Sequence, residues 1–129
     1  MNIESYLKRI LKNKNYYIGE LYEKLKSRYP SENINIYIKK LVSMGILNDV
    51  KLIGYEMEYL INYKCVSKRY IYDYFTKKKI SPSLIALTLN KYGEFDDENR
   101  EKLKHILKSK GKTDKQIESY LIRNGFENE

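Results

Sequence analysis

Apolar residues return every three or four positions along almost the whole chain, and strict alternation is rare. Ile3, Leu7, Ile10 and Leu11 form one stripe, Ile18, Leu21, Tyr22 and Leu25 a second, and Ile34, Ile38, Leu41 and Val42 a third. Ile53, Met57 and Leu60 continue the pattern, followed by Ile71 and Phe75, Leu84 and Leu87, Leu103, Ile106 and Leu107, and finally Ile117 and Leu121. This spacing predicts helices near 3–13, 18–28, 32–44, 49–63, 68–79, 82–92, 97–110 and 114–124, joined by short connections. Ser81-Pro82 places a hydroxyl acceptor at an N-cap and proline at the first helical position, and Thr113 with Gln116 fits a capping box. Ser31, Asp49, Ser67 and Asp97 are further N-cap candidates. Gly45, Gly93, Gly111 and Gly125 suit left-handed positions just past helix ends.

The punctuation recurs. "MGILNDVKL" is echoed by "YGEFDDENREKL", with Gly93 over Gly45 and Asp97 over Asp49. Aligning the second, fifth and eighth helices brings Leu21, Ile71 and Ile117 together, then Leu25, Phe75 and Leu121, at intervals of 50 and 46 residues. A period near 48 residues describes a three-helix unit used again and again, each unit burying its apolar stripe against the next. The expected fold is all-α: tandem three-helix repeats in an elongated, curved array. The expected division is 1–47, 48–95 and an incomplete, two-helix repeat over 96–129.

Composition narrows the function classes. The 129 residues hold one cysteine, so Cys65 is expected as a free thiol in a reducing, cytoplasmic setting. The start "MNIESYLKRI" has no signal-peptide pattern, and no apolar run approaches the roughly 20 residues of a membrane span. The chain carries 14 tyrosines, a count that fits an AT-rich coding sequence and carries little functional weight. No catalytic constellation or phosphate loop stands out. His105 reads as structural, a Cys65–His105 pair has no local support, and "EFDDENRE" reads as a helix start rather than a metal site. No cofactor or metal is expected.

The net charge of +8 favours a polyanion or an acidic protein face. Two segments concentrate it. Lys64, Lys68, Arg69, Lys77, Lys78 and Lys79 stand against Asp73, with Tyr63, Tyr70, Tyr72 and Tyr74 interleaved. Lys102, Lys104, Lys108, Lys110, Lys112 and Lys115 stand against Asp114. Lys104 and Lys108 share a helix face, as do Arg69 and Tyr72. Solvated lysines around a core and a concave basic surface meeting phosphates or an acidic groove are both compatible with this pattern; either way, lysine contacts orient rather than read bases.

The stretches "ELYEKL" (20–25), "LVSMGILNDVKL" (41–52), "YIYDYFTKKKISPSLIALTL" (70–89) and "QIESYLIRNGF" (116–126) resemble, in order and spacing, the tandem repeats of the bacterial regulatory protein RecX family. The resemblance covers nearly the whole chain. It implies a protein that binds the RecA recombinase in the groove of its filament on DNA and modulates strand exchange and ATPase, usually as an inhibitor. Recombination, DNA repair and the SOS response are the corresponding settings. The implied molecule is a non-enzymatic monomer, with single- or double-stranded DNA a further partner. The family usually has glycine before and near the end of its fifth helix, where this chain has Cys65 and Lys79, and an acidic pair where it has Asn48-Asp49 followed by Val50. Glu129 falls about where a ninth helix would begin, leaving the stripe of Ile117, Leu121 and Phe126 with reduced cover. The rival reading is a general DNA-binding helical module using "SPSLIALTLNKYG" after "KKKI" as a recognition helix.

Overall fold

Capping chemistry sets where each helix begins. In the computed structural model, which describes residues 1–127, α1 (Ile3–Leu11) starts at Asn2, whose side chain accepts from Ser5 N at 2.8 Å. α2 (Ile18–Lys26) opens with the Glu20 carboxylate accepting from Tyr17 N, and α3 (Ser31–Ser43) comes after Pro30. α4 (Asp49–Glu58) is capped by Asn48 and runs on into a π-helical turn, Tyr59–Tyr63. α5 (Lys68–Lys77) is capped by Ser67, and α6 (Pro82–Leu89) by Ser81. α7 (Asp96–Ser109) precedes α8 (Asp114–Arg123), where Thr113 and Gln116 form the capping box that the spacing predicts. Eight α-helices and the π-helical turn make up the regular structure of the described residues.

Three expected caps differ. Ser31 and Asp49 are first helical residues, behind Pro30 and Asn48, and α7 begins at Asp96, not behind Asp97. The difference at Asp49 and Asp96 is informative, because each carboxylate is spent on another helix. Asp49 Oδ1 accepts from Ile18 N at 2.9 Å, and Asp96 Oδ1 accepts from Lys68 N at 2.8 Å. Each is thus the first residue of one helix and supplies an acceptor to the exposed N–H groups opening a helix about thirty residues earlier. The recurrent Gly-to-Asp punctuation carries this bond between helices each time, with Asp96 rather than Asp97 answering Asp49.

The apolar stripes pack into three clusters. Ile3, Leu7, Leu21, Leu25, Ile34 and Ile38 form the first, Ile53, Met57, Ile71, Phe75, Ile85 and Leu89 the second, and Leu103, Leu107 and Ile117 the third. Single residues cross over: Tyr17, just ahead of α2, is buried in the second cluster, and Cys65, ahead of α5, in the third. Neighbour-to-neighbour packing of this kind yields a row of cores. The chain exposes 8802 Å², against about 7200 Å² for a compact monomer of its 15.5 kDa mass. The array is elongated.

The π turn has a definite anchor. Its wider spacing pairs Lys64 N with Tyr59 O at 3.0 Å, and the bond from Val66 N to Leu60 O at 3.1 Å closes the helix end across left-handed Cys65. The buried Asn99 carboxamide, on α7, donates to Ile61 O and to Val66 O at 3.0 Å each. One polar side chain therefore answers two carbonyls that irregular backbone presents to the interior. Just beyond, Cys65 takes φ 58°, and Lys79 past α5 takes φ 65°. Both positions are left-handed, which explains in conformational terms why glycine suits them.

Candidate partner-binding groove

Helix α5 shows three faces. Ile71 and Phe75 point into the second core. Arg69, Asp73 and Lys77, four residues apart, line one side of an open groove of about 740 Å³, with Tyr70, Tyr74 and Lys78 beside them. The far wall is built from the end of α8 and the turn beyond it: Ile122, Arg123, Gly125, Phe126 and Glu127. The two walls are pinned together at one end. Ser67 N donates to Asn124 O at 3.0 Å, and a Cβ on Gly125 would meet the Ser67 hydroxyl inside contact distance. Only glycine allows that approach at φ 91°.

The groove floor is aromatic and its rim is charged. Tyr70 and Tyr74 stack with ring centroids 6.1 Å apart and planes 15° from parallel. The Tyr74 hydroxyl donates to the Glu56 carboxylate; burial first, then Glu56, pushes that hydroxyl well above its ordinary range. Lys64 donates to the Tyr70 hydroxyl at 2.8 Å and lies 4.7 Å from the centre of its ring. Lys78 is committed to the joint with the first unit: it pairs with Glu20 at 3.3 Å and lies over both Tyr17 and Tyr74. Burial first, then the nearby Glu56 carboxylate, pushes the buried Tyr17 hydroxyl up strongly. Arg69 and Glu127 approach across the mouth at 3.8 Å. Among the described residues no ion pair engages Lys77, Asp73 or Arg123, although Arg123 lies 4.4 Å from the centre of the Tyr120 ring.

The remaining cations are placed differently. Lys68 holds Glu94 at 2.8 Å, and that bond raises its ammonium above the usual range. Lys79 is exposed at its left-handed position, tight against Gly19. The second charged segment spreads around α7. Lys102 bonds Glu98 at 3.0 Å and lines a hollow with Cys65 and His105. Lys104 and Lys108 share another hollow with Asp114 and Glu118, and Lys104 is paired with Glu101 at 3.4 Å. Lys112 and Lys115 turn to a third, beside Arg123, while Lys110 ends the helix. Arg123, Asp73 and the wall from Ile122 to Glu127 escape a reading of the sequence, because only folding brings α8 to α5. The glycine in "RNGF" is the one local sign.

Cys65 and His105 do line one hollow. The thiol is buried, and burial raises its pKa, so it is held as the neutral thiol rather than the nucleophilic thiolate. Four of the five acids of "EFDDENRE" are engaged structurally: Glu94 with Lys68, Asp96 with Lys68 N, Glu98 with Lys102 and Glu101 with Lys104. Helix α6 buries Ile85, Thr88 and Leu89, and the Thr88 hydroxyl is turned back onto Leu84 O. Among the described residues no helix is long and apolar enough to cross a membrane.

No family profile matches the chain, and no curated protein matches it in sequence. A solved structure does match, the crystal structure of regulatory protein RecX, which is 21% identical, with a TM-score of 0.70 over 95% of this chain and 64% of that one. The chain thus spans less than two thirds of the length of the protein it resembles. What this likeness establishes is the architecture: the chain has the helical-repeat fold of regulatory protein RecX.

Proposed function

We propose that this protein binds the RecA recombinase filament on DNA and restrains it, acting in the cytoplasm by binding and doing no chemistry itself. The observation that carries the reading is the fold shared with regulatory protein RecX along 95% of the chain. An elongated array with a joint every unit can lie along a helical groove and touch successive protomers. It would restrain the filament by binding one of its states better than another. The cations of Lys64, Lys68, Arg69, Lys77, Lys78 and Lys79, and those on α7 from Lys102 to Lys112, supply attraction to phosphates and acidic protein surface.

RecA's DNA-dependent ATPase, measured with and without the protein, tests this. The expected result is a dose-dependent fall, together with tighter binding to RecA-coated than to naked DNA. Unchanged ATPase with equal, salt-sensitive binding to naked duplex would overturn it in favour of a general DNA-binding module.

A further inference from the structure

We infer that the groove between α5 and the end of α8 receives a peptide segment of a protein partner, one that sets carboxylates beside an aromatic or aliphatic side chain. The inference rests on the reading that the protein works by binding another protein, and it names what this surface takes. The charge pattern decides between peptide and nucleic acid. Arg69, Asp73 and Lys77 alternate in sign along one wall, and Glu127 closes the mouth. A phosphodiester strand carries one sign only and would be repelled at Asp73 and Glu127. A peptide can answer both signs, giving carboxylates to Lys77 and Arg123 and an N–H or a basic side chain to Asp73. Arginine at a carboxylate offers paired, charge-assisted hydrogen bonds.

Size and rigidity agree. Arg69 and Lys77 are separated by eight residues of helix, about 12 Å. Roughly four residues of extended peptide span that distance at about 3.3 Å each. The stacked Tyr70 and Tyr74 and the buried Phe126 give one side chain an apolar seat. The walls are already fixed by Ser67 with Asn124 and by Asn124 Nδ2, which donates to Tyr120 O at 2.7 Å. A site built before its ligand arrives loses less on binding.

The test begins with the full chain panned against a phage library of random dodecapeptides, and the enriched peptide is then synthesised with a fluorescent label. Enrichment of carboxylates around an aromatic or aliphatic residue is expected. Affinity should fall at least tenfold in Lys77→Glu/Arg123→Glu, and equally in the gentler Lys77→Gln/Arg123→Gln should the first fail to fold. Lys8→Glu/Lys12→Glu should bind as the parent does, and a twelve-residue oligothymidylate should not displace the peptide. No enrichment, binding retained by the folded groove variants, or one-for-one displacement by oligothymidylate would each overturn the assignment. RecA ATPase measured in parallel separates the two readings: peptide capture that depends on the groove, with no effect on RecA, sinks the filament proposal and leaves the groove standing.

Discussion

The segments around α5 and α7 look alike in sequence, yet the fold treats them differently. Each carries six lysines or arginines in a stretch of about fifteen residues with one acid inside it. Helix α5 lies between two neighbours. Asp96 of α7 bonds its first N–H, Lys78 at its end reaches Glu20 of α2, and the chain after α8 closes over its flank. Lys77, which no ion pair engages among the described residues, therefore lines the same groove as Arg123, with aromatic rings between them. Helix α7 has its lysines on three surfaces, and Lys102 and Lys104 are paired with acids of their own helix. Such exposed pairs, shared with solvent and screened by salt, contribute little. Charge content marks both segments equally; convergence of two elements marks only one.

The largest expected effect tests that convergence directly. Lys77→Glu/Arg123→Glu should weaken binding to RecA-coated DNA about a hundredfold, as two charge-assisted contacts at about 1.5 kcal/mol each are replaced by repulsion. Lys104→Glu/Lys108→Glu, the same change of charge on α7, should cost less than about threefold, in keeping with exposed pairs. Equal losses in an equilibrium binding assay would mean that overall charge, not the groove, attracts the partner. Lys78 is unsuitable for this comparison. Its reversal would set a carboxylate against Glu20, and the joint between units would loosen along with any site.

The second effect concerns how α7 holds the approach to α5. Asn99→Ala leaves Ile61 O and Val66 O without their donor, in a region where Asn99 itself is 2% exposed. Loss of about 2 kcal/mol is expected in urea unfolding, the cost of buried carbonyls left partly unanswered. A change under about 0.5 kcal/mol would show that the π turn finds other partners.

Much of the fold was legible because its signals are local. Thr113 with Gln116, Ser81 before Pro82, and Ser67 fix helix starts through bonds three residues long, and the apolar stripes recur within one turn. The π turn was not legible: Tyr59–Tyr63 continues the helical pattern, and its anchor Asn99 sits about forty residues away. Of two adjacent acids the pattern singles out Asp97, one residue past the Asp96 that accepts from Lys68 N, and only that long-range bond sets the register. The groove was half legible. Arg69, Lys77 and Lys78 stood out as cations, while Arg123 is one basic residue in an ordinary helix until the fold brings it opposite.

The joints offer a smaller effect with a pH signature. Asp96→Ala and Asp49→Ala should each cost about 1 kcal/mol, as lost caps do. Conversion of Asp49 to asparagine adds a pH test. Burial outweighs the Ile18 N–H and raises Asp49 above its ordinary 3.8. The folded protein thus holds this proton more tightly than the unfolded chain. Its contribution is complete below the unfolded value and is lost as pH rises through the folded one. Asp49→Asn keeps an acceptor for Ile18 N without a charge to bury, so its stability relative to the parent should improve from pH 4 to pH 7. Unfolding curves at the two pH values that run parallel would remove the burial argument.

The smallest effect separates the two helices at their ends. Past α5 stands Lys79 at φ 65°, and past α7 stands Gly111 at φ 76°. The backbone asks the same of both, and only one has the residue that gives it freely. A side chain in this region costs roughly 1–2 kcal/mol. Against that, glycine loses about 0.5–1 kcal/mol more than other residues when the chain orders. Lys79→Gly should therefore stabilise the protein by about 0.5–1 kcal/mol, and Gly111→Lys should destabilise it by a similar amount. Most of the Lys79 side chain is exposed, and what the first change removes is the contact of its Cβ with Gly19. Cys65 is the instructive exception. It shares the left-handed backbone at φ 58°, but its side chain belongs to the third core with Leu103 and Leu107. Cys65→Gly should leave a void there that offsets the relief of strain. Thermal unfolding of the three variants checks the set. A Lys79→Gly protein no more stable than its parent would show that the left-handed turn after α5 is held by its contacts at no conformational cost, and the contrast between the two helix ends would vanish.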